Sequence, residues 1–128
     1  MVTITLSLMA REERLPPLGL PPDPNRDIGF ATVMVRLNNP CNVQQTISID
    51  AIEIRCIADQ QRQPFTFKPR TLELKPLENS VVDLHLTNTV GFLCNDSVQA
   101  VVNVRQGSGP SATLCSEATA IEGRSEDR

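Results

Sequence analysis

Phe30-Ala-Thr-Val-Met-Val-Arg-Leu-Asn38 alternates along its whole length. Ala31, Val33, Val35 and Leu37 fall on one side, and Thr32, Met34 and Arg36 on the other. Successive side chains of an extended chain point to opposite faces, so a period of two marks a strand with one face buried. Asn38-Asn-Pro-Cys-Asn42 closes it with residues that favour turns.

Working outward toward the C-terminus, the same grammar repeats. Thr46 to Ile57 reads as a strand whose phase slips. Ile47 and Ile49 share one parity, while Ile52, Ile54 and Cys56 share the other, which predicts a bulge near Asp50-Ala51. Ala58 to Gln63 is a polar loop, and Pro64-Phe-Thr-Phe67 is a short edge strand. Thr71 to Lys75 turns Leu72 and Leu74 inward, and Pro76-Leu-Glu-Asn79 reverses the chain. Ser80 to Thr87 buries Val82, Leu84 and Leu86 and exposes Asp83 and His85. Asn88 to Asp96 is a loop carrying Gly91, Phe92 and Cys94. Val98 to Arg105 sets Val98, Ala100, Val102 and Val104 on one face. Gly107 to Pro110 turns, and Ala112 to Ile121 is the last strand.

Toward the N-terminus, Val2-Thr-Ile-Thr-Leu-Ser-Leu8 alternates strictly and is the first strand. Residues 9–29 break the pattern. Leu15 to Pro24 holds five prolines in ten residues. Proline fixes φ and lacks an N–H, so this segment is neither helix nor central strand. It reads as an extended, partly polyproline-II loop that follows the first strand. Leu15, Leu18 and Leu20 are its apolar anchors and its candidate partner-binding residues.

Turns every eight to twelve residues between short alternating strands predict an all-β antiparallel β-sandwich of seven to eight strands. Residues 1–122 form one domain, of a size suited to one core, and 123–128 a charged tail. Val33-Met-Val-Arg-Leu-Asn-Asn-Pro40 and Leu72-Glu-Leu-Lys-Pro-Leu-Glu-Asn-Ser-Val-Val-Asp-Leu-His-Leu86 together resemble bacterial immunoglobulin-like and fibronectin-III-like domains. Those often end a strand at an Asn-Pro turn and enter another through a Leu-x-Pro-Gly-Glu turn. The resemblance spans residues 30 to 121. It departs where Leu77 stands in place of the usual Gly, and the core Trp of true immunoglobulin domains is missing. It implies an immunoglobulin-like sandwich and an interaction role, and it implies no catalytic residues.

Composition narrows the function classes. Phe30, Phe65, Phe67 and Phe92 are the only aromatics, too few for a stacking platform once the core is filled. The net charge is −3 with no basic stripe, so nucleic acid is not an expected partner. No apolar run approaches the ~20 residues of a membrane span. Met1 to Leu8 lacks the basic and apolar regions of a signal peptide. The expected location is therefore cytoplasmic, or the envelope or outside if a leader has been trimmed away. Arg outnumbers Lys ten to two.

Chemistry is sparse. His85, the single histidine, lies on an outer face near Asp83 without a nucleophile motif. Asp23, Asn25 and Asp27 lack the Gly and distal Glu of a calcium loop, and Pro24 intrudes. Neither metal nor cofactor is expected. Asn95-Asp-Ser97 matches a glycosylation sequon, and Ile121-Glu-Gly-Arg124 matches an engineered protease site. Cys41, Cys56, Cys94 and Cys115 lack zinc-ligand spacing. Alternating strand directions allow two disulfides, Cys56–Cys94 and Cys41–Cys115, and four reduced thiols are the other state. The expected function is a non-enzymatic protein-interaction or structural module, with a homo-oligomer through an edge strand as one mode. The alternative is a disulfide-stapled envelope or secreted adhesion or assembly module.

Overall fold

A computed structural model describes residues 2–14, 19, 23 and 25–123. Among these residues eight strands follow in order: β1 (Thr3–Glu12), β2 (Gly29–Asn38), β3 (Gln45–Cys56), β4 (Arg70–Leu74), β5 (Asn79–Asn88), β6 (Val98–Gln106), β7 (Ser111–Cys115) and β8 (Ile121–Glu122). They build two four-stranded sheets, ordered β5-β2-β1-β8 and β4-β3-β6-β7. No helix occurs among the described residues. The all-β, two-sheet architecture agrees with the sequence reading.

The alternation explains the layers. Ala31, Val33, Val35 and Leu37 of β2 are buried, while Thr32, Met34 and Arg36 between them reach the outer face. Against them pack Ile47, Ile49, Ile52 and Ile54 of β3 and Val98, Ala100, Val102 and Val104 of β6. Ile47, Ile49, Val33, Val98 and Val102 have no more than a trace of exposure. A fully buried aliphatic side chain contributes about 1.5–3 kcal/mol relative to exposure, so the facing central strands carry the core.

The slip in β3 is a bulge. Ile49 pairs with Val104 and Ala51 with Asn103, which leaves Asp50 as the extra residue. The extra residue restores the inward parity from Ile52 onward. Asp50 projects outward and accepts from Arg105 Nε at 2.7 Å and Nη2 at 3.1 Å. That hydrogen bond, helped by the guanidinium charge, holds the Asp50 carboxyl below the usual carboxylate range although desolvation opposes it. The same contact raises Arg105.

Several expected elements differ. β1 runs past Leu8 to Glu12, pairing with β2 along its full length. Pro64–Phe67 is not a strand. Phe65 turns inward through an N–H bond to the Gln63 carbonyl at 2.8 Å, because flanking Pro64 and Pro69 deny the ladder two donors. Ala112 to Ile121 is not one strand either. Ser116 pins the chain to β6: its N–H bonds Ala100 O at 2.9 Å and its Oγ accepts from Ala100 N at 2.9 Å. The chain then crosses to the other sheet, where β8 joins β1 in a parallel pair, the one departure from antiparallel strand pairing among the described residues.

The registers define two ends of the sandwich. Glu12, Gly29, Cys56, Asn88 and Val98 lie at one, here the cystine end. Thr3, Asn38, Gln45, Asn79 and Gln106 lie at the other. At that second end the buried Asn39 is fully engaged. Its Nδ2 donates to Val43 O at 3.0 Å and Lys75 O at 2.9 Å, and its Oδ1 accepts from Cys41 N at 3.0 Å. In the adjoining turn Leu77 has φ 60°, the left-handed region where glycine is the usual occupant.

Candidate interaction end

The Sγ atoms of Cys56 and Cys94 are bonded, with Cα atoms 5.7 Å apart. Cys56 closes β3, and Cys94 lies in the loop that leads from β5 in one sheet to β6 in the other. The bridge therefore fastens loop 89–97 to the end of the sandwich. Cys41 and Cys115 are not joined to each other. The Cys41 carbonyl accepts from Leu77 N at 3.0 Å, beside the turn after β4. Cys115 ends β7, on the opposite edge of that sheet and paired with Val101. Three strand spacings, about 14 Å, and about 13 Å along the strand from Ser111 separate the two sites. The expectation of a Cys41–Cys115 bridge is thus corrected: Cys115 is the last residue of its strand rather than an early one.

Polar side chains complete the clamp on loop 89–97. Glu12 continues the inward parity of Leu8 and Ala10 and is buried. Its carboxylate accepts from the buried Phe92 N–H at 2.6 Å and from Arg14 Nε at 3.2 Å and Nη2 at 3.1 Å. A buried carboxylate is stable only with such partners. Asn88 folds the turn over itself. Its Oδ1 accepts from Val90 N at 3.1 Å and Gly91 N at 2.6 Å, and its Nδ2 donates to Pro64 O at 2.9 Å and Gly91 O at 3.1 Å. Buried Gln63 accepts from Leu93 N at 2.7 Å through its Oε1. Gly91 has φ +84°, and a Cβ there would lie 2.7 Å from Glu12 Oε2. Gly29 is equally constrained, because its Cβ would meet Asn88 Oδ1 at 2.6 Å and Gly91 Cα at 2.9 Å.

Beneath the loop, Phe65 and Phe92 pack with ring centroids 5.1 Å apart and planes tilted by 51°. Above it, Leu93 is 57% exposed and Val90 50%. Apolar side chains stand in water on a backbone held from several sides. The base of the proline-rich segment lies at the same end. Glu13 N donates to Ile28 O at 2.8 Å, and Arg26 Nη2 donates to Glu13 O at 2.8 Å. Leu15, Leu18 and Leu20 lie outside the described residues.

The other singled-out residues are dispersed. His85 lies on the outer face of β5, where its Nδ1 is 3.0 Å from Thr32 Oγ1. It borders a shallow groove of about 280 Å³ with Met9, Arg11, Phe30 and Thr32. The Arg11 guanidinium covers the Phe30 ring at 4.6 Å. Asp23 Oδ1 accepts from Asn25 N at 2.9 Å, a turn of the Asx type. Among the described residues no three His, Cys, Asp or Glu side chains converge as a metal site. Among them also, no helix is long and apolar enough to cross a membrane.

Sequence reasoning missed Glu12, Gln63, Asn88 and Leu93. Glu12 did carry a signal, since a charge on the apolar parity of β1 needs a buried partner. Asn88 and Gly91 also sit at turn-like spacing. No known family model matches the chain, and no characterised protein matches it significantly.

Proposed function

We propose that this chain is a non-enzymatic protein-interaction or structural module whose contact surface is the cystine end. The observation that carries this reading is the clamped loop with Val90 and Leu93 exposed upon it. A surface fixed before encounter loses little conformational entropy on binding, and exposed apolar side chains on an otherwise anchored loop suit a protein partner. Leu15, Leu18 and Leu20 stay candidate partner-binding residues on the strength of the sequence alone. The strand order β5-β2-β1 opposite β4-β3-β6-β7 supports an immunoglobulin-like topology, with β4 as the extra strand beside β3. The bridge differs from the inter-sheet cystine of antibody domains, because it ties a strand end to a loop.

The test uses Val90→Asp with Leu93→Asp, both at exposed positions, and Leu77→Asp at the opposite end as control. Immobilised wild-type protein and the control should retain the same binding species from an extract of the native source, and the double variant should lose them. Equal retention by all three refutes the assignment of the surface.

A second reading is favoured by the Cys56–Cys94 bridge. Disulfides persist in oxidising compartments, so an envelope or secreted adhesion or assembly module fits the bridge better than a cytoplasmic one. Alkylation of the native-source protein before lysis, followed by intact mass, separates the two. Addition of two alkyl groups supports the oxidised form, and addition of four supports the cytoplasm.

A further inference from the structure

The four sheet edges are defended unequally. β4 is flanked by Lys68, Pro69, Lys75 and Pro76 and contains Arg70 and Glu73; β5 carries Asp83 and His85; β7 is five residues long and follows Pro110. Charges, prolines and shortness are the usual devices against strand addition. β1 has none of them from Thr3 to Met9. β8 covers it only at Ala10 and Arg11.

The backbone of β1 shows where this edge is open. Alternate residues of an edge strand point their N–H and C=O groups away from the neighbour. On β1 these are the even residues, because Thr119 Oγ1 donates to Leu8 O at 3.0 Å on the side away from β2. At Val2 the Gln106 side chain takes the place of a strand: its Oε1 accepts from Val2 N and its Nε2 donates to Val2 O, both at 3.0 Å. Between these two caps stand Ile4 and Leu6. Their outward N–H and C=O groups have no partner among the described residues, and their side chains are only half-buried beside the closed core of β2.

We infer that this window is a self-association site, in which β1 pairs antiparallel with β1 of a second copy about a two-fold axis through Thr5. Ile4-Thr-Leu6 is self-complementary in that register. Ile4 of each copy exchanges both backbone hydrogen bonds with Leu6 of the other, which satisfies every open group in the window. The two inward leucines and isoleucines cover one another, and Thr3, Thr5 and Ser7 form an uncharged outer row. Gln106 and Thr119 stop the ladder at both ends. The interface is small, below the ~1,200 Å² of stable complexes, so the dimer forms only at high protein concentration. This inference is independent of the cystine-end surface, since neither Val90 nor Leu93 takes part.

Sedimentation equilibrium of the intact chain from about 10 μM to about 1 mM should show a monomer–dimer equilibrium. Thr5 is exposed on the outer face, so Thr5→Lys leaves the monomer intact while setting like charges opposite each other at the axis. It should weaken the dimer by up to about fivefold. Register is read by oxidation in a Cys41→Ser, Cys115→Ser background. Thr5→Cys should cross-link to itself, because opposed residues of a non-hydrogen-bonded pair stand about 4.5 Å apart, within disulfide reach. Thr3→Cys should cross-link to Ser7→Cys and not to itself. A monomer throughout the range, a dimer indifferent to Thr5→Lys, or self-linking by Thr3→Cys each overturns the proposal.

Discussion

Reducing the Cys56–Cys94 bridge tests how much of the stability depends on a single covalent tie. The bridge closes a loop set by a sequence separation of 38. Restricting the unfolded chain by a loop of that length contributes about 4 kcal/mol in the chain-entropy account. For a urea slope of about 2 kcal/mol/M, the unfolding midpoint should fall by about 2 M on reduction. The melting temperature should fall by about 15 °C for a chain of this size. The assay is equilibrium unfolding with and without a phosphine reductant. Cys41→Ser with Cys115→Ser serves as a control that should respond to reductant as the wild type does. Cys56→Ala with Cys94→Ala should fall further than reduction alone, since reduced thiols still fill the buried space as small hydrophobes. A midpoint shift below about 0.5 M urea would refute the claim that the bridge acts by restricting the unfolded chain.

Leu77→Gly should stabilise by up to about 1 kcal/mol in the same assay. It relieves the left-handed backbone at φ 60°, worth about 1–2 kcal/mol, against the extra unfolded-state freedom of glycine; a loss of stability counts against strain at this turn. Glu12→Ala should cost about 2–3 kcal/mol by leaving the buried Phe92 N–H unmatched, and amide exchange at Phe92 should accelerate. Asp50 gives a pH signature. Its folded-state pKa is lowered, so its contribution is complete above the unfolded value near 4 and is lost as pH falls through the folded value. Asp50→Asn should therefore lower stability near neutrality, where the contribution is complete, and flatten the acid limb below about pH 4, so that the two proteins converge in acid.

Where alternation runs unbroken, the sequence alone places the element and its buried face, as in β2, β5 and β6. Even the bulge at Asp50 is legible, because two isoleucines on one parity precede two on the other. Legibility fails where side chains replace the ladder. Phe65 and Phe67 alternate like a strand, yet the prolines around them prevent pairing and Phe65 serves as a plug against Phe92. Ser116 interrupts the last alternating stretch by bonding Ala100 through backbone and hydroxyl alike, an event with no periodic trace. The cystine-end clamp was hidden for the same reason. Glu12, Gln63 and Asn88 are polar residues whose partners are backbone groups, and no spacing rule announces which backbone they meet.

The parallel pairing of β1 with β8 has a mechanical consequence. Thr3 lies at one end of the sandwich and Glu122 at the other, so tension applied between them pulls the two adjacent strands in opposite directions along their own axes. The bonds from β1 to β2 are then loaded side by side instead of being peeled one after another, and rupture is governed by the unfolding rate of the whole ladder. Once it yields, the span between Cys56 and Cys94 stays gathered. About 130 Å of chain is withheld from extension until the bridge is reduced, which makes the length of the stretched molecule a reporter of its redox surroundings.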